Sequence, residues 1–180
     1  GVATSPDGGR VYVADLYGKR LVEIDPASGA TLRSVSVGAM ASGVAATPDG
    51  KTILVADRDD NAISIIDAAS FQRVATLAVG RHPFGVAIDA AGARAYTADV
   101  ESDSVSVIDL SARRVVATLK TGSRPYTVAL AAGRIFVANQ HADSVSVFDA
   151  ASLAPVGEVK VGEYPEGRSE EHTSELQSRL

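Results

Sequence analysis

The stretch "HADSVSVFDA" (141–150) has two near-copies upstream, "ESDSVSVIDL" (101–110) and "DDNAISIIDA" (59–68). Each is a short run of β-branched and small residues that closes on Asp, the pattern of a strand running into a turn. Working outward, "GVATSPDGGRVYVAD" (1–15), "GVAATPDGKTILVAD" (43–57), "GVAIDAAGARAYTAD" (85–99) and "TVALAAGRIFVAN" (127–139) precede the phrase at one interval. "TLRSVSVG", "VATLAVG", "VATLKTG" and "PVGEVKVG" follow it. The copies start at 1, 43, 85 and 127, so the period is 42 residues.

Each copy holds four short runs rich in Val, Ile, Thr and Tyr, separated by Gly, Asp, Asn, Pro and Ser, and no helical period. In the second copy these predict strands a to d at 44–47, 52–56, 62–66 and 74–79. Four strands in about 42 residues is the size of one β-propeller blade, a sheet that packs both faces on its neighbours around a channel. The fold class expected is therefore all-β: four consecutive four-stranded blades at 1–42, 43–84, 85–126 and 127–166.

The turns fit that reading. Pro6-Asp7-Gly8 and Pro48-Asp49-Gly50 fall between strands a and b, where Pro presets φ and Gly accepts the left-handed region. Asp25, Asp67, Asp109 and Asp149 end strand c ahead of small residues, as Asx turns do. Asp15, Asp57, Asp99 and Asn139, ending strand b, read as structural caps of the following loop.

Composition narrows the function classes. The chain has 180 residues, 46% hydrophobic and 22% charged, with a formal net charge of −5 and no run of three basic residues. That lacks the electrostatic footprint of a duplex-binding surface, so nucleic acid is not an expected partner. There is no cysteine, hence no disulfide framework or thiolate metal site. No apolar stretch approaches a membrane span. Gly1 opens directly into repeat sequence, which reads as a truncated start. At the other end "RSEEHTSELQS" (168–178) has no valine, isoleucine or turn grammar and resembles the translation of a common sequencing adapter. Residues 167–180 are accordingly read as a non-native tail, with a natural polar tail as the alternative.

"VYVAD", "ILVAD" and "IFVAN", then "SVSVID" and "VATLAVG", resemble the YVTN β-propeller repeat over about 1–167. The resemblance implies a seven-bladed ring of which four blades are present, and a periplasmic or extracellular setting. It implies no single activity: similar repeats occur in binding proteins, surface-layer proteins, lactonase-like propellers and propeller domains attached to quinone or haem enzymes.

If strands alternate direction, b–c loops and d–a junctions share one face, and a–b and c–d turns the other. The second face repeats itself; the first varies from blade to blade, and loops on a rigid scaffold are where binding concentrates. Met40, His82, Arg124 and Tyr164 stand at equivalent d–a positions at the channel mouth. Arg58 and His141, in the b–c loops "DRDDN" and "NQHAD", join them as ligand-binding candidates. Arg offers a planar fork for carboxylate or phosphate and Tyr a stacking face, which suits an anionic or sugar-like ligand. Phe84 and Tyr126, next along, are expected to pack between blades. No hydrolase, zinc-protease, phosphate-loop or calcium-loop motif is present. No cofactor or metal is expected: His82 and His141 with Asp103 or Asp143 fall short of a convincing set. Three functions follow: a non-enzymatic propeller holding a small molecule or protein at the mouth; a lactonase-like hydrolase or lyase with His82 as base and Arg124 as anion stabiliser; or a propeller domain serving a quinone or haem redox system.

Overall fold

A computed structural model describes residues 1–166, in which sixteen strands form four antiparallel sheets of four, each in sequence order. Blade one holds β1 (Val2–Thr4), β2 (Val11–Asp15), β3 (Arg20–Ile24) and β4 (Thr31–Ser36). Blade two holds β5 (Ala41–Ala46), β6 (Thr52–Asp57), β7 (Ala62–Asp67) and β8 (Gln72–Ala78). Blade three holds β9 (Pro83–Ile88), β10 (Arg94–Asp99), β11 (Ser104–Asp109) and β12 (Arg114–Lys120). Blade four holds β13 (Pro125–Ala131), β14 (Arg134–Asn139), β15 (Ser144–Asp149) and β16 (Pro155–Lys160). A single 3-10 turn, Arg58–Asp60, interrupts this pattern in the b–c loop of blade two. The segment read as a non-native tail lies outside the described residues.

Side chains alternate across a strand, so a blade buried on both faces sends neighbours in opposite directions. Ile53, Val55 and Ile66 pack toward blade one with Tyr12, Ala14 and Leu21. Leu54, Ala56, Ile63 and Ile65 pack toward blade three with Ala95 and Ile108. Blades three and four share Tyr96, Val105, Val107, Ile135, Val137 and Phe148. The central blades are consequently buried on nearly every residue of their middle strands, whereas the middle strands of blades one and four alternate buried with half-buried. Val159 and Val161, counterparts of the packed Leu77 and Val79, are 55% and 40% exposed.

The d strands are irregular ladders. Each carries one extra residue where its register against strand c shifts: Leu32, Val74, Val116 and Val156 oppose no residue of β3, β7, β11 or β15. These four are all exposed at the outer rim. A bulge of this kind bends the strand and increases its right-handed twist, which turns an apolar position outward.

At the inner rim β1, β5, β9 and β13 lie side by side. A Cβ on Gly43 would run into the carbonyl oxygen of Phe84, and one on Gly85 would come within 2.6 Å of the carbonyl oxygen of Tyr126. The "G" of the repeated "GVA" is therefore fixed by backbone meeting backbone. Strand a begins at Ala41 and Pro83, ahead of that glycine, and at Pro125, ahead of Thr127 in the same place, earlier than its sequence signal. Gly43→Ala is expected to lower stability by about 2–3 kcal/mol, the cost of an overpacked site that cannot relax. Gly157→Ala, at a position with open space on the outer strand, should change it by less than about 0.5 kcal/mol. Urea denaturation followed by far-UV circular dichroism measures both.

Candidate functional site

Strand b ends on a carboxylate or amide that faces the d–a junction. Gly38 N donates to Asp57 Oδ1 at 2.9 Å, and Ser64 Oγ donates to Asp57 Oδ2 at 2.6 Å. In blade three the carboxylate of Asp99 accepts from Thr97 Oγ1 at 2.9 Å, Ser106 Oγ at 2.7 Å and Ser104 Oγ at 3.3 Å. In blade four Asn139 Nδ2 donates to Ser146 Oγ at 2.8 Å and Ser144 Oγ at 3.1 Å. All three side chains are fully buried. The junction glycines leave room for them: a Cβ at Gly80 would sit 2.5 Å from Asp99 Oδ2, and one at Gly122 2.7 Å from Asn139 Nδ2. Burial pushes the carboxyls of Asp57 and Asp99 up, against the hydrogen bonds that pull them down. Blade one lacks the serine, and Asp15 there accepts from Gly18 N and Arg20 Nε instead.

The loops above this layer hold one another. Arg58 N donates to the Met40 carbonyl, Val100 N to that of His82 and Gln140 N to that of Arg124, so each b–c loop lies on the junction of its own blade. The expected sharing of one face by b–c loops and d–a junctions is what these bonds build. Met40, His82, Arg124 and Tyr164 all adopt left-handed backbone, with φ of 54°, 51°, 53° and 48°, a region costly for such side chains. A side-chain acceptor compensates in three blades: His82 N donates to Asn61 Oδ1 at 2.9 Å, Arg124 N to Asp103 Oδ1 at 2.8 Å, and Tyr164 N to Asp143 Oδ1 at 3.0 Å. Lys19 takes that place in blade one and cannot accept.

The six sequence candidates therefore share a face without forming one cluster. His82 Nδ1 lies 3.1 Å from Glu101 Oε1. His141 meets the ring of Tyr164 edge-on at 5.6 Å, and Tyr164 is otherwise exposed. Met40 is half-buried beside Arg58. The two histidines thus have separate partners, and Asp103 and Asp143 serve as backbone caps, so the His pair with either aspartate does not assemble. Among the described residues no three His, Asp or Glu groups stand together as a metal site would need. Asp60 likewise accepts from Ala39 N. Phe84 and Tyr126 pack between blades as expected, stacked at 4.0 Å with 27° between planes.

The opposite face holds a feature not read from the sequence. A cleft of about 680 Å³ between blades one and two is lined by Ser5, Arg10, Tyr12, Glu23, Arg33 and Lys51, with others. Glu23, 2% exposed, receives Arg33 Nε at 2.6 Å and Nη2 at 2.9 Å. Arg33 also donates to the carbonyls of Ala68 and Ala69 in blade two and lies 4.7 Å over the ring of Phe71. The available signal was one substitution within the repeat: "LVEID" in blade one carries Glu where "ISIID", "VSVID" and "VSVFD" carry Ile or Val. With every charge answered internally, this is an inter-blade clamp.

The turns on that face follow the sequence. Asp25, Asp67, Asp109 and Asp149, all half-buried, each accept a backbone N–H two or three residues on; the Ser28 hydroxyl at Asp25 and these backbone bonds at the other three hold the carboxyls below their ordinary range.

No protein-family model matches the chain, and no curated protein does. Among solved structures it is similar to hydrazine synthase of Kuenenia stuttgartiensis, with 23% identity and a TM-score of 0.82 over 88% of this chain and 47% of that one. It is similar to the RRP9 WD40 repeats at 20% identity and a TM-score of 0.79, covering 89% and 50% of the two chains. A third likeness is a functionally unknown protein from Desulfotomaculum acetoxidans, at 17% identity and a TM-score of 0.76 over 87% and 54%. The fold is a β-propeller. The chain spans about half the length of these structures, and at such identities the likeness speaks for the propeller fold alone. No helix among the described residues is long and apolar enough to cross a membrane.

Two outcomes follow from this geometry. Arg33→Ala leaves the buried Glu23 carboxylate with only Arg10 Nε, 3.8 Å away, to answer its charge and should cost about 2–4 kcal/mol. Glu23→Ile combined with Arg33→Ala, which copies Ile65 and Ala75 of blade two, should recover most of that loss in thermal unfolding. Asp99→Asn copies Asn139, whose amide donates to the same serine hydroxyls. Because burial raises the folded-state carboxyl above its unfolded value, the charged form opposes folding at neutral pH and the opposition fades as pH falls through the folded and then the unfolded value. Urea midpoints should show Asp99→Asn above the parent at pH 7 and the gap closing toward pH 4.

Proposed function

We propose that the chain is the four-blade part of a binding or scaffold propeller that holds a small molecule or protein partner at the mouth. One observation carries this reading. The mouth backbone is fixed by the same bonds in successive blades, yet its side chains change from Met40 to His82, Arg124 and Tyr164, while the opposite face repeats its turn residues. A scaffold that holds four positions rigid and leaves their chemistry free suits recognition.

The half-exposed apolar faces of blades one and four support a larger ring in the whole protein, which the YVTN-like phrases put at seven blades. The same phrases support a periplasmic or extracellular setting. A lactonase-like hydrolysis is the second reading, favoured by His82 lying 3.1 Å from Glu101, a carboxylate whose charge would stabilise the protonated imidazole of a general base, although the contact lacks the geometry of a hydrogen bond. No cofactor enters either reading.

Titration of the isotopically labelled full chain with sugars, sugar lactones and small carboxylates, followed by amide shifts, tests the site. Shifts are expected in the mouth segments 38–42, 58–61, 80–84 and 122–126. Shifts confined to the "PDG" turns would overturn the mouth reading. Hydrolysis of δ-gluconolactone above the buffer rate, abolished in His82→Ala, would replace the non-enzymatic reading with the second one.

A further inference from the structure

Three features meet where β9 and β13 begin. Phe84 and Tyr126, at the same repeat position in adjacent blades, stack on each other and stay half-buried at the mouth. Arg124, two residues before Tyr126, has a buried Nε with no hydrogen-bond partner. Among the described residues, neither Arg124 nor Arg58 takes part in an ion pair, although six other arginine and lysine side chains do so within 4.0 Å of a carboxylate.

The two guanidiniums come from different blades and act on one ring. Burial and the Glu166 carboxylate push the Tyr126 phenol up, while the charges of Arg58 and Arg124 pull it down. Arg58 from the b–c loop of blade two and Arg124 from the junction into blade four are thus both within electrostatic reach of Tyr126. Glu166 is itself held by Gln140 Nε2 at 3.2 Å. At the Tyr126 phenol one carboxylate thus stands against two guanidiniums, while the Asp103 carboxylate accepts from the backbone N–H of Arg124.

A buried guanidinium N–H without an acceptor costs free energy that an incoming anion would return. We infer that this part of the mouth binds an oxyanion between Arg58 and Arg124, with the flat body of the same ligand laid against the Phe84–Tyr126 pair. The inference rests on the mouth being the binding face and names the ligand class: an aromatic or otherwise planar molecule carrying one carboxylate or phosphate. The guanidinium fork matches either group in two-point contact, and a stacked aromatic pair offers area at little entropic cost. Glu166 sets an upper limit on charge, because a polyanion would meet its carboxylate. Met40, His82 and Tyr164 then form the surround rather than the anchor.

The test is a titration of the labelled full chain with benzoate, phenyl phosphate and neutral benzamide, read at the amides of residues 58–61 and 122–126. Saturable shifts are expected with at least one of the anions and not with benzamide, and the tighter anion identifies carboxylate or phosphate as the recognised group. Arg58→Gln and Arg124→Gln should each weaken binding tenfold or more. Arg114→Gln, on the opposite face, should leave it unchanged, and the amide spectra of all three variants report whether the fold is kept. Equal binding of benzamide, or anion binding that survives both mouth substitutions, overturns the oxyanion site while leaving the mouth as a binding face. If neither anion moves the mouth amides, the oxyanion site falls, and the broader panel of sugars and lactones decides the mouth reading separately.

Discussion

The crowding of four inner strands at one rim is the constraint from which the rest of this structure follows. With β1, β5, β9 and β13 abreast, there is no room for a side chain where Gly43 and Gly85 meet the carbonyls of Phe84 and Tyr126. Backbone contact at the centre sets the spacing of the blades, and the spacing sets what can fill the gaps further out. The alternating Ile, Leu and Val of strands b and c fill them with packed side chains. By the outermost strands the gap has widened, and the chain there tolerates a bulge and exposes Leu32, Val74, Val116 and Val156.

Charge is distributed by the same geometry. Carboxylates that cap exposed turns, such as Asp67 and Asp109, are favoured in their ionised form by the N–H groups they accept from. Those under the mouth, Asp57 and Asp99, do a similar bonding task in a dry place, where ionisation is opposed. Asn139 performs that task without the charge. The layer is held by hydrogen-bond geometry, and charge is incidental to it. Glu23 is the reverse case: its charge is the point, since Arg33 ties it to the next blade through two carbonyls.

How much of this could be read beforehand depends on whether a feature repeats. The period, the strand count, the turns at "PDG" and the Asx turns after strand c recur in the chain, and recurrence separates them from chance. The sharing of one face by Met40, His82, Arg124 and Tyr164 also followed, because alternating strand direction dictates it. The single exception in a repeat was harder to see: Glu23 looks like noise inside a strand phrase until Arg33 is found across from it. The caps Asn61, Asp103 and Asp143 were legible as loop polarity but not as acceptors for a left-handed residue one junction later, because backbone sign is not written in composition. That the charges of Arg58 and Arg124 both bear on the Tyr126 phenol depends on how the blades are set beside one another, which no linear pattern encodes.

The left-handed residues have one more consequence. At 82 and 124 the backbone is held by bonds to its own N–H and C=O groups, at 40 by its C=O and at 164 by its N–H, bonds which ask nothing of the side chain, and Met, His, Arg and Tyr already occupy the site in one molecule. Such positions behave like sockets of a common gauge. Their contents can be exchanged by point mutation at little cost to folding, so descendants of one gene could retarget the mouth quickly, and a randomised library at these four codons would sample new specificities on an unchanged frame.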